Sequence, residues 1–159
     1  WLRKLFEKGV AGFYGTVLSD RCYRVSSGKV LKWQIESNSS GMDKILPNMK
    51  TDIIIDNTEL AYRIVIDTKF NSVVTSGWYR DETLRSGYLY QMYAYLRSQE
   101  GSDDPLDENA CGLFIHPSIG EDLNEYVVID NHKIQFSTVN LAASAIEIRG
   151  QLLKVIRIN

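Results

Sequence analysis

Cysteine, histidine and long hydrophobic runs are scarce in this sequence. Its 159 residues include two cysteines, Cys22 and Cys111, and two histidines. Two cysteines cannot build a disulfide framework or hold an iron–sulfur cluster alone, so we expect buried free thiols in a reducing, cytoplasmic environment. A membrane-spanning helix needs about 20 consecutive apolar residues, and the apolar runs here are far shorter. We therefore expect a protein that does not cross a membrane.

An excess of positive charge is also missing. Eighteen basic residues against twenty acidic ones give a formal net charge of −2, so any attraction to nucleic acid must come from a local patch. The remaining composition, 44% hydrophobic and 24% charged, is typical of a folded domain. We expect residues 1–159 to form a single domain. Because the chain starts with Trp1 rather than Met and shows no basic-then-apolar leader, we expect it to be a fragment or domain of a longer protein.

Hydrophobic periodicity predicts helices packed on a central sheet, which is a mixed α/β fold. The predicted helices cover residues 2–13, 80–99 and 141–155, the last capped by Thr138 or Asn140. The predicted strands cover residues 22–25, 30–35, 51–56, 62–70, 110–115, 126–129 and 133–136. Two hairpins follow from this order, one joining 51–56 to 62–70 and one joining 126–129 to 133–136.

The segment from Asp52 to Lys69 carries the chemistry. Asp67 and Lys69 are two apart on a strand, so their side chains share one face, with Ile64, Ile66 and Phe70 on the opposite, core-facing side. A turn centred near residues 59–60 places Asp52 opposite Asp67. Two carboxylates beside a lysine suit Mg²⁺, which can activate water for attack on a phosphodiester. The alternative is a surface salt bridge on an edge strand.

A second element lies on the following helix. Gln91 and Tyr95 are four residues apart, so they share one helix face, and we expect Tyr88, Tyr90 and Tyr93 in the core. The order Asp52, hairpin, Asp67-Thr68-Lys69 and Gln91-Met92-Tyr93-Ala94-Tyr95 resembles the PD-(D/E)xK nuclease superfamily, whose exonuclease-like branches carry a Q-x-x-x-Y helix. The superfamily's proline before the first acid is replaced here by Thr51.

Segments 5–8, 46–52, 66–70 and 90–96 are similar to the C-terminal nuclease region of the McrC family. These proteins are nuclease subunits of McrBC-type modification-dependent restriction systems. The resemblance implies a restriction-endonuclease-like PD-(D/E)xK fold with a central mixed sheet flanked by helices. It also implies a Mg²⁺-dependent DNA endonuclease, with Mn²⁺ as a possible substitute. The implied partners are double-stranded DNA, in which a modified cytosine is recognised through the partner subunit, and a McrB-like AAA+ GTPase.

The resemblance also implies a role for each site residue. Asp52 and Asp67 would bind the metal, together with the backbone carbonyl of Thr68, and Lys69 would be the catalytic lysine. Glu7 would support the metal or its water, although a solvated helix glutamate is an equally good interpretation. The last two residues, Gln91 and Tyr95, would contact the DNA backbone or brace the site.

Other functions fit the sequence less well. An exonuclease of the RecB-like or Cas4-like branch remains an alternative, as does a catalytically silent DNA- or partner-binding module on the same fold. Zinc binding by Cys22, Cys111, His116 and His132 lacks the usual ligand spacing, and neither histidine has the context of a general base. The stretch 27–30 lacks the glycine and the Ser or Thr of a phosphate loop, so we expect no nucleotide to bind this chain.

Overall fold

The computed structural model describes residues 1–19, 22–72, 74–75, 83–120 and 122–157, and these form an α/β structure. The helices are α1 (Leu2–Val17), α2 (Ser86–Gln99) and α3 (Ala145–Val155), with short 3₁₀ helices at Met42–Lys44 and Pro105–Asp107. The strands are β1 (Tyr23–Ser27), β2 (Val30–Leu31), β3 (Met49–Lys50), β4 (Ile53–Asn57), β5 (Tyr62–Thr68), β6 (Val74–Thr75), β7 (Thr83–Leu84), β8 (Cys111–Pro117), β9 (Asn124–Ile129) and β10 (His132–Val139). No helix among these residues is long and apolar enough to cross a membrane.

Six strands form the central sheet, in the order β1-β4-β5-β8-β10-β9. Strands β5, β8 and β10 run parallel to one another, whereas β1, β4 and β9 each pair antiparallel to a neighbour. The parallel pair β5 and β8 requires a long crossover, which contains α2. The predicted mixed sheet with flanking helices is therefore confirmed, and β5 lies in its interior.

Each face of the sheet has its own hydrophobic core, because side chains alternate along a strand. Ile64 and Ile66 of β5 pack with residues of α1 and α3, whereas Val65 packs with Met92 and Leu96 of α2. Phe70, expected with Ile64 and Ile66, lies beyond the end of β5. Its ring contacts Phe6 of the same core, with centroids 5.6 Å apart, while 39% of its surface stays exposed. The α2 face is therefore the face of Val65, and by the same alternation that of Asp67.

The hairpin β4–β5 has the predicted register. Ile53 pairs with Ile66, and Asp56 pairs with Arg63. The Asn57 side-chain oxygen accepts hydrogen bonds from the backbone N–H groups of Glu59 and Leu60, which closes the connecting turn. The hairpin formed by β9 and β10 is also confirmed, and it is longer than predicted at both ends.

Several predicted boundaries are wrong. Helix α2 begins at Ser86, and Leu84, expected within it, belongs to β7; residues 80–82 lie outside the described residues. Helix α3 begins after Ser144, which forms a capping box with Glu147. The expected cap Thr138 is instead part of β10, and Asn140 also precedes the helix.

The acidic segment around residues 104–107 is bound to the sheet by one arginine. Arg63 contacts both carboxylate oxygens of Asp56, at 2.7 and 2.9 Å, and its guanidinium also pairs with Asp104 and Asp107. Its side chain is only 5% exposed. Because a guanidinium presents five N–H donors in a planar fork, one arginine can satisfy all three carboxylates.

Candidate functional site

Two contacts lie where β4 begins and β5 ends, one between Asp52 and Thr68 and one between Asp67 and Lys69. Asp52 immediately precedes β4, and continuing the register of Ile53 with Ile66 by one pair places it opposite Asp67. The backbone N–H of Gly28 donates to the Asp52 carbonyl at 2.9 Å. Gly28 has a φ of +64°, which favours glycine. A turn at the end of β1 therefore fixes the backbone of Asp52.

The Asp52 carboxylate is oriented by Thr68. Oδ2 of Asp52 accepts hydrogen bonds from the Thr68 backbone N–H at 2.8 Å and from its hydroxyl at 2.9 Å. Oδ1 of Asp52 has no hydrogen-bond partner in the described part of the chain. One oxygen of this carboxylate is thus anchored and the other is available to a ligand.

Thr51, which immediately precedes Asp52, is fixed by hydrogen bonds to Lys29. The backbone N–H of Thr51 donates to the Lys29 carbonyl at 2.9 Å, and its hydroxyl contacts the same oxygen. A proline has no N–H, so it would lose the first of these bonds. The entry into β4 therefore depends on a backbone hydrogen bond that a proline at this position could not make.

Asp67 and Lys69 form a buried ion pair. Nζ of Lys69 lies 2.8 Å from Oδ1 of Asp67, and the two side chains are 11% and 12% exposed. The alternative of a surface salt bridge on an edge strand is wrong, since β5 lies between β4 and β8. Burying two charges costs several kcal/mol per ion before their attraction offsets it, so this is a costly place for an ion pair without a function.

The electrostatics of Asp67 favour additional positive charge. Burial raises the pKa of the Asp67 carboxyl above its usual range, and the nearby Asp52 charge raises it further. Lys69 and Arg3 lower the pKa, but not enough to reverse the net shift. A buried carboxyl whose pKa is raised by burial and by a neighbouring carboxylate is a group whose charged form a bound cation would stabilise.

The described residues contain no group of three or more His, Cys, Asp or Glu side chains arranged to hold a metal. Two carboxylates are nevertheless an adequate protein contribution for Mg²⁺, which keeps several of its waters. Glu7 hydrogen-bonds Lys4 and lines, with Asp52 and Lys8, a cleft of about 410 Å³ beside α1. Glu7 therefore shares a cleft with Asp52 without joining a three-carboxylate cluster.

Comparison with known protein families gives a match over residues 2–106 to the family McrBC, described as a 5-methylcytosine restriction system component. The chain belongs to this family. No curated protein matches it individually. The McrBC match includes all the site residues predicted from the sequence, namely Glu7, Asp52, Asp67, Thr68, Lys69, Gln91 and Tyr95. It agrees with the McrC resemblance of the sequence.

Within the McrBC-matched region, Gln91 and Tyr95 interact directly. Nε2 of Gln91 donates to the Tyr95 hydroxyl at 2.7 Å, and Tyr95 packs in a cluster with Ile54, two residues after Asp52. Tyr95 therefore contacts β4 two residues from Asp52, and Gln91 is joined to it by the hydrogen bond. The expectation for the other tyrosines is partly wrong, because Tyr90 is 68% exposed, whereas Tyr88 and Tyr93 pack against the core.

His116 lies beyond the McrBC match, and its sequence context predicts no catalytic role. It is fully buried on β8, its Nδ1 lies 2.8 Å from the Asn71 carbonyl oxygen, and its Nε2 has no partner among the described residues. Burial lowers the pKa of His116, as do Lys69 and Arg85. The signal for its burial was the apolar run 110–115, but its nearness to Lys69 depends on the pairing of β5 with β8.

Proposed function

We propose that this McrBC-family chain is a Mg²⁺-dependent DNA endonuclease domain with a PD-(D/E)xK fold. The observation that carries the proposal is the buried Asp67–Lys69 ion pair at the end of an interior strand, next to Thr68, which holds the Asp52 carboxylate by two hydrogen bonds. Family membership supports a role in restriction of DNA containing 5-methylcytosine.

The donor set fits a hard cation. The available Oδ1 of Asp52 and the oxygen of Asp67 not paired with Lys69 would hold Mg²⁺, with the Thr68 carbonyl as a third ligand and Mn²⁺ as a substitute. When bound, the cation would supply Lewis acidity and lower the pKa of a water. Thr68 fixes the Asp52 carboxylate through two hydrogen bonds, so this ligand needs little reorganisation.

Lys69 would act on the phosphate and the attacking water. Its ammonium is held by Asp67 in a site with little exposure, where a fixed charge is worth more than in water. There it would orient the water and stabilise negative charge that develops on the phosphate.

Gln91 and Tyr95 would brace the start of β4 or contact the DNA backbone, and Glu7 would support the cation or its water from the cleft.

The partners belong to the same proposal. The chain has a net charge of −2, which is unfavourable for independent DNA binding because non-specific affinity depends on neutralising phosphates. A McrB-like AAA+ GTPase would therefore deliver the DNA, recognise the modified cytosine and hydrolyse GTP. We expect this assembly to act in the cytoplasm.

Metal binding is the first test. Calorimetric titration of the chain with Mg²⁺ should give binding that Asp52→Ala and Asp67→Ala remove, since each takes away a ligand. Asp103→Ala, in an exposed segment, is the matched control and should bind as the wild type does. Binding that survives both site substitutions would contradict the proposal.

Cleavage is the second test. Closed circular DNA containing 5-methylcytosine should be cut by the chain with a McrB-like partner, GTP and Mg²⁺, and only weakly without the partner. Cutting that requires a DNA end would favour the exonuclease alternative. Metal binding without cleavage in the complete assembly would favour a silent binding module.

A further inference from the structure

The Lys69 ammonium has a second neighbour besides Asp67. Nζ of Lys69 lies 4.6 Å from the centroid of the Tyr88 ring, well within the range of about 6 Å for a cation–π contact. Tyr88 is in the first turn of α2, nineteen residues along the chain from Lys69. The contact therefore joins the end of β5 to the helix that covers it.

The Tyr88 ring is itself held in place. Nδ2 of Asn71 donates to its hydroxyl at 2.5 Å, and the ring stacks on Phe114 with centroids 6.0 Å apart and planes inclined by 27°. The Asn71 backbone carbonyl lies 2.8 Å from Nδ1 of buried His116. A hydrogen bond at the ring's edge and an aromatic contact thus fix the orientation of the face that Lys69 meets.

We propose that Tyr88 is a positioning residue for Lys69, a role that rests on the proposed nuclease function. In the proposed function the Asp67 carboxylate is shared between the Lys69 ammonium and a divalent cation, so its attraction for the ammonium weakens when the cation binds. The electron-rich ring face attracts an ammonium, whereas Mg²⁺ prefers oxygen ligands. Tyr88 therefore holds the lysine without competing for the metal, and keeps it in place when Asp67 is shared.

The test separates the ring from the hydroxyl. Tyr88→Phe keeps the ring face and loses the Asn71 hydrogen bond, whereas Tyr88→Leu and Tyr88→Met remove the ring. Tyr90→Leu, at an exposed position of the same helix, is the matched control. Two substitutions without a ring allow for one of them failing to fold, which circular dichroism detects.

The first readout needs no activity. Protons above a ring face are shielded, so the Lys69 ε-methylene signal of the 159-residue chain should lie upfield in ¹H–¹³C NMR, with and without Mg²⁺. Lys133, whose Nζ lies 4.5 Å from the centroid of the Tyr126 ring, should give a second upfield signal that the Tyr88 substitutions leave unchanged. Lys69→Met assigns the Lys69 signal by its disappearance. We expect the upfield position in the wild type, Tyr88→Phe and Tyr90→Leu, and its loss in the folded Tyr88→Leu or Tyr88→Met chain.

The second readout is single-turnover cleavage by the complete assembly. Loss of the ring should slow cleavage on the order of tenfold while the Mg²⁺ dissociation constant stays within about twofold, because Asp52 and Asp67 are untouched. Normal cleavage by a folded Tyr88→Leu or Tyr88→Met chain would overturn the positioning role. An equal loss in Tyr88→Phe would also overturn it, since the hydroxyl rather than the ring would then be responsible.

The two proposals fail in different ways. A wild type that shows the upfield signal but binds no Mg²⁺ would overturn the nuclease function, and the positioning role with it. A wild type that binds Mg²⁺ and cleaves DNA but lacks the upfield signal would overturn the Tyr88 proposal alone.

Discussion

Replacing Lys69 with methionine tests the buried ion pair and the metal site in one experiment. Methionine is unbranched and apolar like the lysine stem, so Lys69→Met removes the ammonium and little else. Asp67 then loses the cation that lies 2.8 Å from its carboxylate while remaining in a site where its side chain is 12% exposed. The expected result is a destabilised apo protein that Mg²⁺ stabilises.

The size of the loss follows from the burial. Removing one partner of a buried ion pair costs about 3–5 kcal/mol, and the residual exposure of both side chains favours the lower end, near 3 kcal/mol. For a domain of this size each kcal/mol shifts the melting temperature by about 2–4 °C, so Tm should fall by about 6–12 °C. Lys4→Met is the control: Lys4 pairs with Glu7 but is 67% exposed, so it should cost less than about 1 kcal/mol.

Mg²⁺ should recover part of the lost stability. A ligand at ten times its dissociation constant stabilises a folded protein by about 1.4 kcal/mol. The variant should bind Mg²⁺ at least as tightly as the wild type, because an ammonium that repels the cation has gone. Its Tm should therefore rise at least as much as the wild-type Tm in the same Mg²⁺ concentration, while cleavage falls close to background.

The pH dependence has a definite sign. The pKa of Asp67 is already raised, first by burial, and removing Lys69 takes away an interaction that lowers it. A group with a raised folded-state pKa stabilises the fold at low pH and loses that contribution as the pH rises through the pKa. The difference between Lys69→Met and wild type should thus be largest at neutral or alkaline pH and shrink on acidification.

Differential scanning calorimetry across pH, with and without Mg²⁺, measures all of these effects. A Lys69→Met chain as stable as Lys4→Met at neutral pH would refute the buried, paired state of Asp67. A normal loss of stability without any effect of Mg²⁺ would instead refute the metal site.

Two further substitutions test the scaffold around the site. Arg63→Met should lower the free energy of unfolding by about 3–5 kcal/mol, because three carboxylates lose their shared partner, and it should leave the Mg²⁺ affinity unchanged. Urea unfolding measures the stability and calorimetry measures the affinity. A loss of stability below about 1 kcal/mol would contradict the buried cluster of Arg63 with the three carboxylates. Gly112→Ala should cost about 1–3 kcal/mol, since its Cβ would lie 2.5 Å from Cγ of buried Met92. The control Gly150→Ala, with open space around its Cβ, should raise stability by about 0.5–1 kcal/mol, and equal effects of the two would contradict the close packing of α2 on β8.

The local elements of this protein could be predicted from its sequence. Apolar spacing predicted α1, and the turn near residues 59–60 predicted the register in which Ile53 pairs with Ile66, because a hairpin's pairing follows from its turn. The shared face of Asp67 and Lys69 follows from the two-residue period of a strand. The start of α3 also has a local signal, since Ser144 and Glu147 form a capping box, whose three-residue spacing is recognisable in a sequence.

Tertiary structure alone decided how these elements meet. The parallel pairing of β5 with β8 brings His116 near Lys69, and the crossover through α2 covers that face so that the Asp67–Lys69 pair is buried. Parallel pairing joins segments far apart in the chain, and no turn residue specifies its register. The Tyr88 ring therefore reaches Lys69, and Arg63 reaches the 104–107 segment, by packing that no local pattern encodes.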